Sequence, residues 1–197
     1  MIIHDVEQGS AEWFILKMGR FSGSNFSKIV GAKTNKGYTD ELYRVVGEVL
    51  TGKYEETYKN KDMERGNEEE PIACKWYENK TGEFVDKIGF VEHSERVGFS
   101  PDGFVNNDGM IEIKTAKRTV QIARLYKNKL PSEHRWQVQG GLWVCEREWC
   151  DFVSYNPELD KLIIRVYRDE KAIKELQEHL EVAINEVNEI LTKLEKK

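Results

Sequence analysis

The hydrophobic period of this chain first changes near residue 84, and that change limits the folds open to it. Before it, apolar residues recur at helical spacing: Trp13, Phe14, Leu16 and Met18 within Ser10–Met18, and Phe26, Ile29 and Val30 behind the turn Ser22-Gly23-Ser24-Asn25. Leu42, Val45, Val46 and Val49 do the same within Thr39–Leu50, and Ile72, Ala73, Trp76 and Tyr77 within about Gly66–Asn79. Gly19 and Gly31 supply the first two stops. The charged stretch Thr51–Glu64 reads as loop or exposed helix. Beyond residue 84, Phe84–Glu92, Arg96–Phe99 and Met110–Lys114 are short β-branched or aromatic runs that predict a meander, with the hairpin signal Asn106-Asn107-Asp108-Gly109 between two of them. Helical patterns over Thr119–Lys127 and Glu133–Cys145 follow, then strands Asp151–Tyr155 and Leu162–Tyr167. A long final helix carries Ile173, Leu176, Leu180, Ile184, Val187, Leu191 and Leu194 at alternating steps of three and four. The order predicts an α/β sheet with helices outside, in one domain spanning residues 1–197. Its C-terminal helix, from about residue 169, packs on the body or on a subunit partner.

Composition supports a folded chain. With 39% hydrophobic residues, five Trp, eight Tyr and eight Phe in 197 residues, there is enough apolar surface for one core. No apolar run approaches the roughly 18 to 20 residues that span a bilayer, and the opening Met-Ile-Ile-His-Asp-Val-Glu lacks the features of a signal peptide. Cys74, Cys145 and Cys150 are odd in number and form no CxxC pair, which excludes a disulfide framework and a zinc or iron–sulfur site. The expected setting is a soluble protein of a reducing compartment. Thirty basic against 35 acidic side chains give a net charge of -5. A nucleic-acid partner must therefore be held by local basic patches and bound cations rather than by overall charge.

The chemistry concentrates in Ser100-Pro101-Asp102-Gly103 and Met110-Ile111-Glu112-Ile113-Lys114. Residues two apart on a strand share a face, so Glu112 and Lys114 project together. A hairpin at Asn107-Asp108-Gly109 brings Asp102 opposite them. Two carboxylates and an ammonium on one side of a sheet suit metal-assisted phosphodiester cleavage: carboxylates hold Mg²⁺, and a lysine orients or deprotonates water or stabilises the developing oxyanion. An isolated Glu-x-Lys is ordinarily a surface ion pair; the Pro-Asp-Gly upstream is what that reading leaves unexplained. Glu68, Glu69 and Glu70 lie where a helix opens, a place that favours acids in any case. Gln137 and Gly141 stand one turn apart on a later helix, where an amide can reach a phosphate or a water.

These residues form the P-D…(D/E)-x-K pattern of the restriction-endonuclease-like, or PD-(D/E)XK, superfamily. With Leu16–Ser24, Arg65-Gly66…Glu70-Pro71, Gln137-Val138-Gln139…Trp143 and Tyr155-Asn156-Pro157 in the same order, the chain resembles the phage-type alkaline exonucleases, the lambda exonuclease and YqaJ-like viral recombinase family. The resemblance implies a mixed central sheet flanked by helices. It implies a Mg²⁺-dependent deoxyribonuclease, with Mn²⁺ able to substitute, that degrades linear duplex DNA from 5′ ends and leaves 3′ single-stranded tails for homologous recombination. The implied partners are double-stranded DNA ends and a single-strand annealing protein, with a ring-shaped homotrimer as the assembly and no membrane. The implied location is the host cytoplasm, in a phage or prophage context.

Carried onto this sequence, the resemblance makes Asp102, Glu112 and the backbone carbonyl of Ile113 metal ligands. Lys114 becomes the catalytic lysine, Glu70 (or Glu69) the helix carboxylate and Gln137 an assisting amide. It places a 5′-phosphate pocket at Lys17, Ser24 and Ser100, with lysine offering a point charge in place of an arginine fork. Glu92 falls where an acid can assist a second metal. Between Lys114 and Arg135 the chain carries Lys117, Arg118, Arg124, Lys127 and Lys129 against the one acid Glu133, a pattern that reads as a phosphate track; His134 lies within it. A structure-specific or repair endonuclease of the same superfamily, and a catalytically silent module that binds DNA ends, are the competing readings.

Overall fold

The computed structural model describes residues 1–55 and 61–195. Seven helices are described: α1 (Ala11–Lys17), α2 (Phe26–Ile29), α3 (Lys36–Thr51), α4 (Lys61–Thr81), α5 (Arg118–Lys127), α6 (Arg135–Val144) and α7 (Glu170–Glu195). The strands are β1 (Ile2–His4), β2 (Val85–Asp86), β3 (Phe90–Ser94), β4 (Val97–Phe99), β5 (Gly103–Val105), β6 (Gly109–Thr115), β7 (Trp149–Tyr155) and β8 (Leu162–Tyr167).

A five-stranded mixed sheet in the order β2-β5-β6-β7-β8 forms the centre, with β6 and β7 parallel and the other neighbours antiparallel. Side chains alternating along β6 feed two cores, as strand periodicity requires. Ile111 and Ile113 join Ala73, Cys74 and Tyr77 of α4 in the smaller one. Met110 joins Phe152 of β7 and residues of α2, α3, α6 and α7 in the larger. The sheet is thus covered on both faces, the restriction-endonuclease-like arrangement the resemblance implied.

The expected meander divides between two sheets. Phe84–Glu92 is broken by Lys87-Ile88-Gly89, so that β2 pairs with β5 while β3 joins β1 and β4 in a separate three-stranded sheet. Gly89 permits the break, because a Cβ there would lie 2.0 Å from the Val6 carbonyl oxygen. The three-residue strands β1 and β5 are too short for periodicity to announce. Residues 56–60 of the charged stretch Thr51–Glu64 lie outside the described residues; α3 runs up to Thr51 and α4 is helical from Lys61. The early start of α4 puts Glu68–Glu70 and Pro71 inside the helix, so the preference of helix N-termini for acids does not account for the acidic run.

The stripe of α7 packs on the body: Ile173, Leu176, Leu180, Val187 and Leu191 are buried against α2, α3 and α6, while Leu194 stays exposed at the end. Leu176→Ala is expected to lower the unfolding free energy by about 3 kcal/mol in urea titration. A loss below about 1 kcal/mol would mean that α7 is not part of this core.

Candidate active site

Strand lengths set up the site. β6 has seven residues and β5 three, and their ladder runs from Val105↔Gly109 only to Gly103↔Ile111. Beyond it the Ile113 N–H donates instead to Asp102 Oδ2 at 2.5 Å. An extended residue sends its N–H and C=O to the same edge, so the Ile113 carbonyl opens into the gap that Asp102 occupies. Glu112 and Lys114 project from the other face of the strand, toward α6. Lys114 Nζ lies 2.5 Å from Glu112 Oε1, and Gln137 Nε2, in the first turn of α6, donates to the same oxygen at 2.6 Å. The second oxygen, Glu112 Oε2, is buried without a hydrogen-bond partner.

Glu70 approaches from α4. Its Oε1 lies 3.3 Å from Lys87 Nζ, which also donates to the Asp102 carbonyl oxygen at 3.2 Å. Glu69 instead faces Arg65, with Oε2 3.7 Å from Nε. Of the two glutamates, Glu70 is therefore the one whose charge is felt at Asp102 and Lys114. Burial, then the charges of Glu112 and Glu70, push the Asp102 carboxyl well above the ordinary carboxylate range, against the pull of Lys114 and the Ile113 N–H. Burial works to lower the Lys114 ammonium, but Glu112 and Asp102 outweigh it and hold Lys114 above its usual value. Carboxylates crowded until one resists ionisation, with a buried oxygen left unpaired beside them, fit a hard divalent cation; every donor at hand is oxygen. Among the described residues, no three His, Cys, Asp or Glu side chains are gathered closely enough to hold an ion as they stand.

Trp13, which the sequence did not single out, links two of the expected pocket residues. Its indole N–H donates to Ser100 Oγ at 2.8 Å, and Lys17 Nζ sits 4.0 Å above its ring centroid. Burial and neighbouring Arg44 bring the Lys17 ammonium down to about 8. Ser24 is exposed on the 3-10 turn Gly23–Asn25, where Gly23 lies against the Phe99 ring, one residue before Ser100. Behind them Glu48 receives the Gly19 N–H at 2.7 Å and Arg44 at 2.6 Å, which fastens the end of α1 to α3. No motif announces this part-buried charge pair, because each partner lies in ordinary amphipathic sequence.

The basic segment splits in two. Lys117, Arg118 and Arg135 are exposed; Arg118 pairs with Glu158, and Arg135 lies 3.5 Å from Asp169. Arg124, read from sequence as part of the phosphate track, is turned inward. Its guanidinium donates to Ser154 Oγ at 3.1 Å and the Lys114 carbonyl at 3.5 Å, meets His134 Nε2 at 3.1 Å, and stands over the Phe152 ring. Arg124 thus ties α5 to the strand that bears Lys114. Glu92 is likewise committed elsewhere, accepting from Arg20 at 3.0 Å and meeting His4 at 3.0 Å.

Residues 12–148 match the model of the YqaJ-like viral recombinase domain. The chain belongs to the YqaJ-like viral recombinase family. The alkaline exonuclease LHK-Exo from Laribacter hongkongensis is 29% identical and superimposes with a TM-score of 0.88 over 95% of this chain and 97% of that one. LHK-Exo in complex with dAMP gives 0.89 at the same identity and coverage. A phage-related exonuclease from Haemophilus somnus 129PT shares the fold at 16% identity, with a TM-score of 0.66 over 89% of this chain and 96% of that one. No curated protein matches the sequence. As a YqaJ-like protein with the alkaline exonuclease fold, the chain is a nuclease.

His134 offers a check on this geometry. Burial, with Lys114 and Arg124 adding to it, lowers its imidazole to about 4. The unfolded chain then binds one more proton than the folded chain between the usual 6.5 and 4, so stability falls as pH drops through that window. His134→Asn is expected to flatten that part of the stability–pH curve, measured by denaturant titration at several pH values.

Proposed function

We propose that this YqaJ-like nuclease degrades linear duplex DNA from 5′ ends in a Mg²⁺-dependent reaction, leaving 3′ single strands for homologous recombination. The observation that carries the reading is the junction of Asp102, Glu112 and Lys114 at the open end of β6, where Glu112 Oε2 is buried and unpaired. Asp102, Glu112 and the Ile113 carbonyl are the proposed metal ligands, with Glu70 at the rim. A bound Mg²⁺ supplies Lewis acidity at the scissile phosphate and a more acidic attacking water; Mn²⁺ is expected to substitute. Lys114 is proposed to hold the attacking water and to meet the charge that develops on the phosphate. Gln137 keeps the Glu112 carboxylate in register and presents an amide to the same space.

Exonucleolytic action is supported by the likeness to LHK-Exo, whose complex holds dAMP, a nucleoside monophosphate. Lys17, Ser100 and Ser24, with Trp13 between the first two, are proposed to receive the terminal 5′ phosphate. Lys117, Arg118 and Arg135 are proposed to contact the backbone, with Arg124 acting from inside. The proposed partner is a single-strand annealing protein, in the bacterial host cytoplasm, and the proposed assembly is a ring of three copies.

Digestion of linear duplex labelled separately at its 5′ and 3′ ends, with Mg²⁺ or with EDTA and beside a closed circle, tests the reading. Release of the 5′ label with Mg²⁺ and sparing of the circle are expected, and Asp102→Ala or Lys114→Ala should cost about a thousandfold or more. Nicking of the circle would favour an endonuclease. Tight end binding without cleavage under any metal would favour a silent module. Neutralising Lys117 and Arg118 together should lower the slope of log affinity against log salt by about two; an unchanged slope removes them from the DNA interface.

A further inference from the structure

We propose that Lys87 is a built-in counter-cation: its ammonium holds the Glu70 arm of the site and is exchanged for the divalent ion when that ion binds. The inference rests on the reading above that Asp102, Glu112 and Glu70 face a metal.

Lys87 lies in the break between β2 and β3, a connection fixed on one side by the Asp86↔Phe104 pair and on the other by the tight passage of Gly89 past Val6. From there Nζ reaches two oxygens, Glu70 Oε1 at 3.3 Å and the Asp102 carbonyl at 3.2 Å, and both belong to residues of the proposed site. The two lysines of the site differ in how firmly they are held. Lys114 is paired at 2.5 Å with Glu112, whose side chain is 1% exposed, whereas Lys87 is 56% and Glu70 33% exposed. A pair as exposed as the latter is weak and can be opened at little cost. Lys114 is therefore a fixture of the site and Lys87 a removable one.

Charge explains why it should be removed. In their ionised forms the carboxylates of Asp102, Glu112 and Glu70 exceed the ammonium groups of Lys114 and Lys87 by one charge. A dication added to that set leaves an excess positive charge; a dication that displaces Lys87 leaves the set neutral. Before metal arrives, Lys87 is the cation that Glu70 faces. It also competes with the metal for Glu70.

The test is Mn²⁺ binding to the metal-free full chain in the absence of DNA, read from the electron paramagnetic resonance signal of free Mn²⁺ and repeated with Mg²⁺ by calorimetry. Lys87→Met is expected to bind Mn²⁺ about three- to tenfold more tightly than the wild type. Lys87→Arg, which keeps the competing charge, should stay near the wild-type affinity, and circular dichroism should show all variants folded. Lys87→Met binding no more tightly than the wild type would overturn the proposal and assign Lys87 to positioning Glu70. Glu112→Gln separates the two layers of the argument. If it weakens Mn²⁺ binding while Lys87→Met does not strengthen it, only the Lys87 inference fails. If Glu112→Gln binds like the wild type, the metal site itself is wrong and the inference falls with it.

Discussion

Where β5 stops pairing with β6, the Ile113 N–H is left without a strand partner, and a buried backbone donor in that position costs about 1 to 3 kcal/mol. The Asp102 carboxylate removes that cost, and in doing so it is fixed relative to β6 to within a hydrogen bond. Most of the site follows from this arrangement. Hairpin register places Asp102 opposite Glu112, strand periodicity puts Glu112 and Lys114 on one face, and parallel pairing sets Glu112 beside Phe152 and Lys114 beside Ser154 on β7. The carboxylate therefore has a structural task beside the chemical one proposed for it. The two are compatible because the backbone uses only Oδ2.

The same bond also bears on the electrostatics. A carboxylate near two others ought to be neutral, and the Ile113 N–H and Lys114 are what favour its ionised form. A second layer of basic groups lies behind them. Arg124 is half-buried beside the Lys114 carbonyl and held by Ser154, itself bonded to Gln121 at 2.6 Å. This accounts for one way in which an acidic protein can offer a cationic surface. The surplus of acid sits in elements such as α7, where Glu170, Glu175, Glu178, Glu181, Glu186, Glu189 and Glu195 outnumber Lys171, Lys174 and Lys193. The Lys114–Arg135 segment keeps its excess of base, and potential at a polyanion is decided locally at physiological ionic strength.

What the sequence disclosed follows the range of the interactions involved. Asp102, Glu112 and Lys114 could be placed together because a hairpin and a two-residue period are local rules. The α7 stripe was legible for the same reason. Lys87 was not: it lies 17 residues from Glu70 and 15 from Asp102, in a break that depends on Gly89 passing Val6. Trp13 acquires its role only when Ser100 is folded against it, and Glu48 only when α1 ends beside α3. Arg124 shows the converse limit. Its charge was visible, but whether an arginine faces solvent or Ser154 is settled by tertiary packing that composition does not contain.

One consequence concerns how the site divides into rigid and adjustable parts. Asp102, Glu112 and Lys114 are carried by the sheet, whereas Glu70 is carried by α4, a continuous helix with Pro71 inside it, which gives α4 one backbone donor fewer. The helix is anchored past that proline. Tyr77 donates to Asp151 Oδ2 at 2.7 Å, Asp151 receives both Arg165 bonds at 2.8 Å, and Arg165 stacks over Trp149. Ala73, Cys74 and Tyr77 pack on the sheet within the same half. Glu70 stands just before the anchored half, its side chain paired with the exposed Lys87. On the proposed reading, the site takes up a cation and then passes a DNA strand, which calls for fixed ligands to define the reacting position and one that can yield. The fold supplies the first from the sheet and the second from the helix.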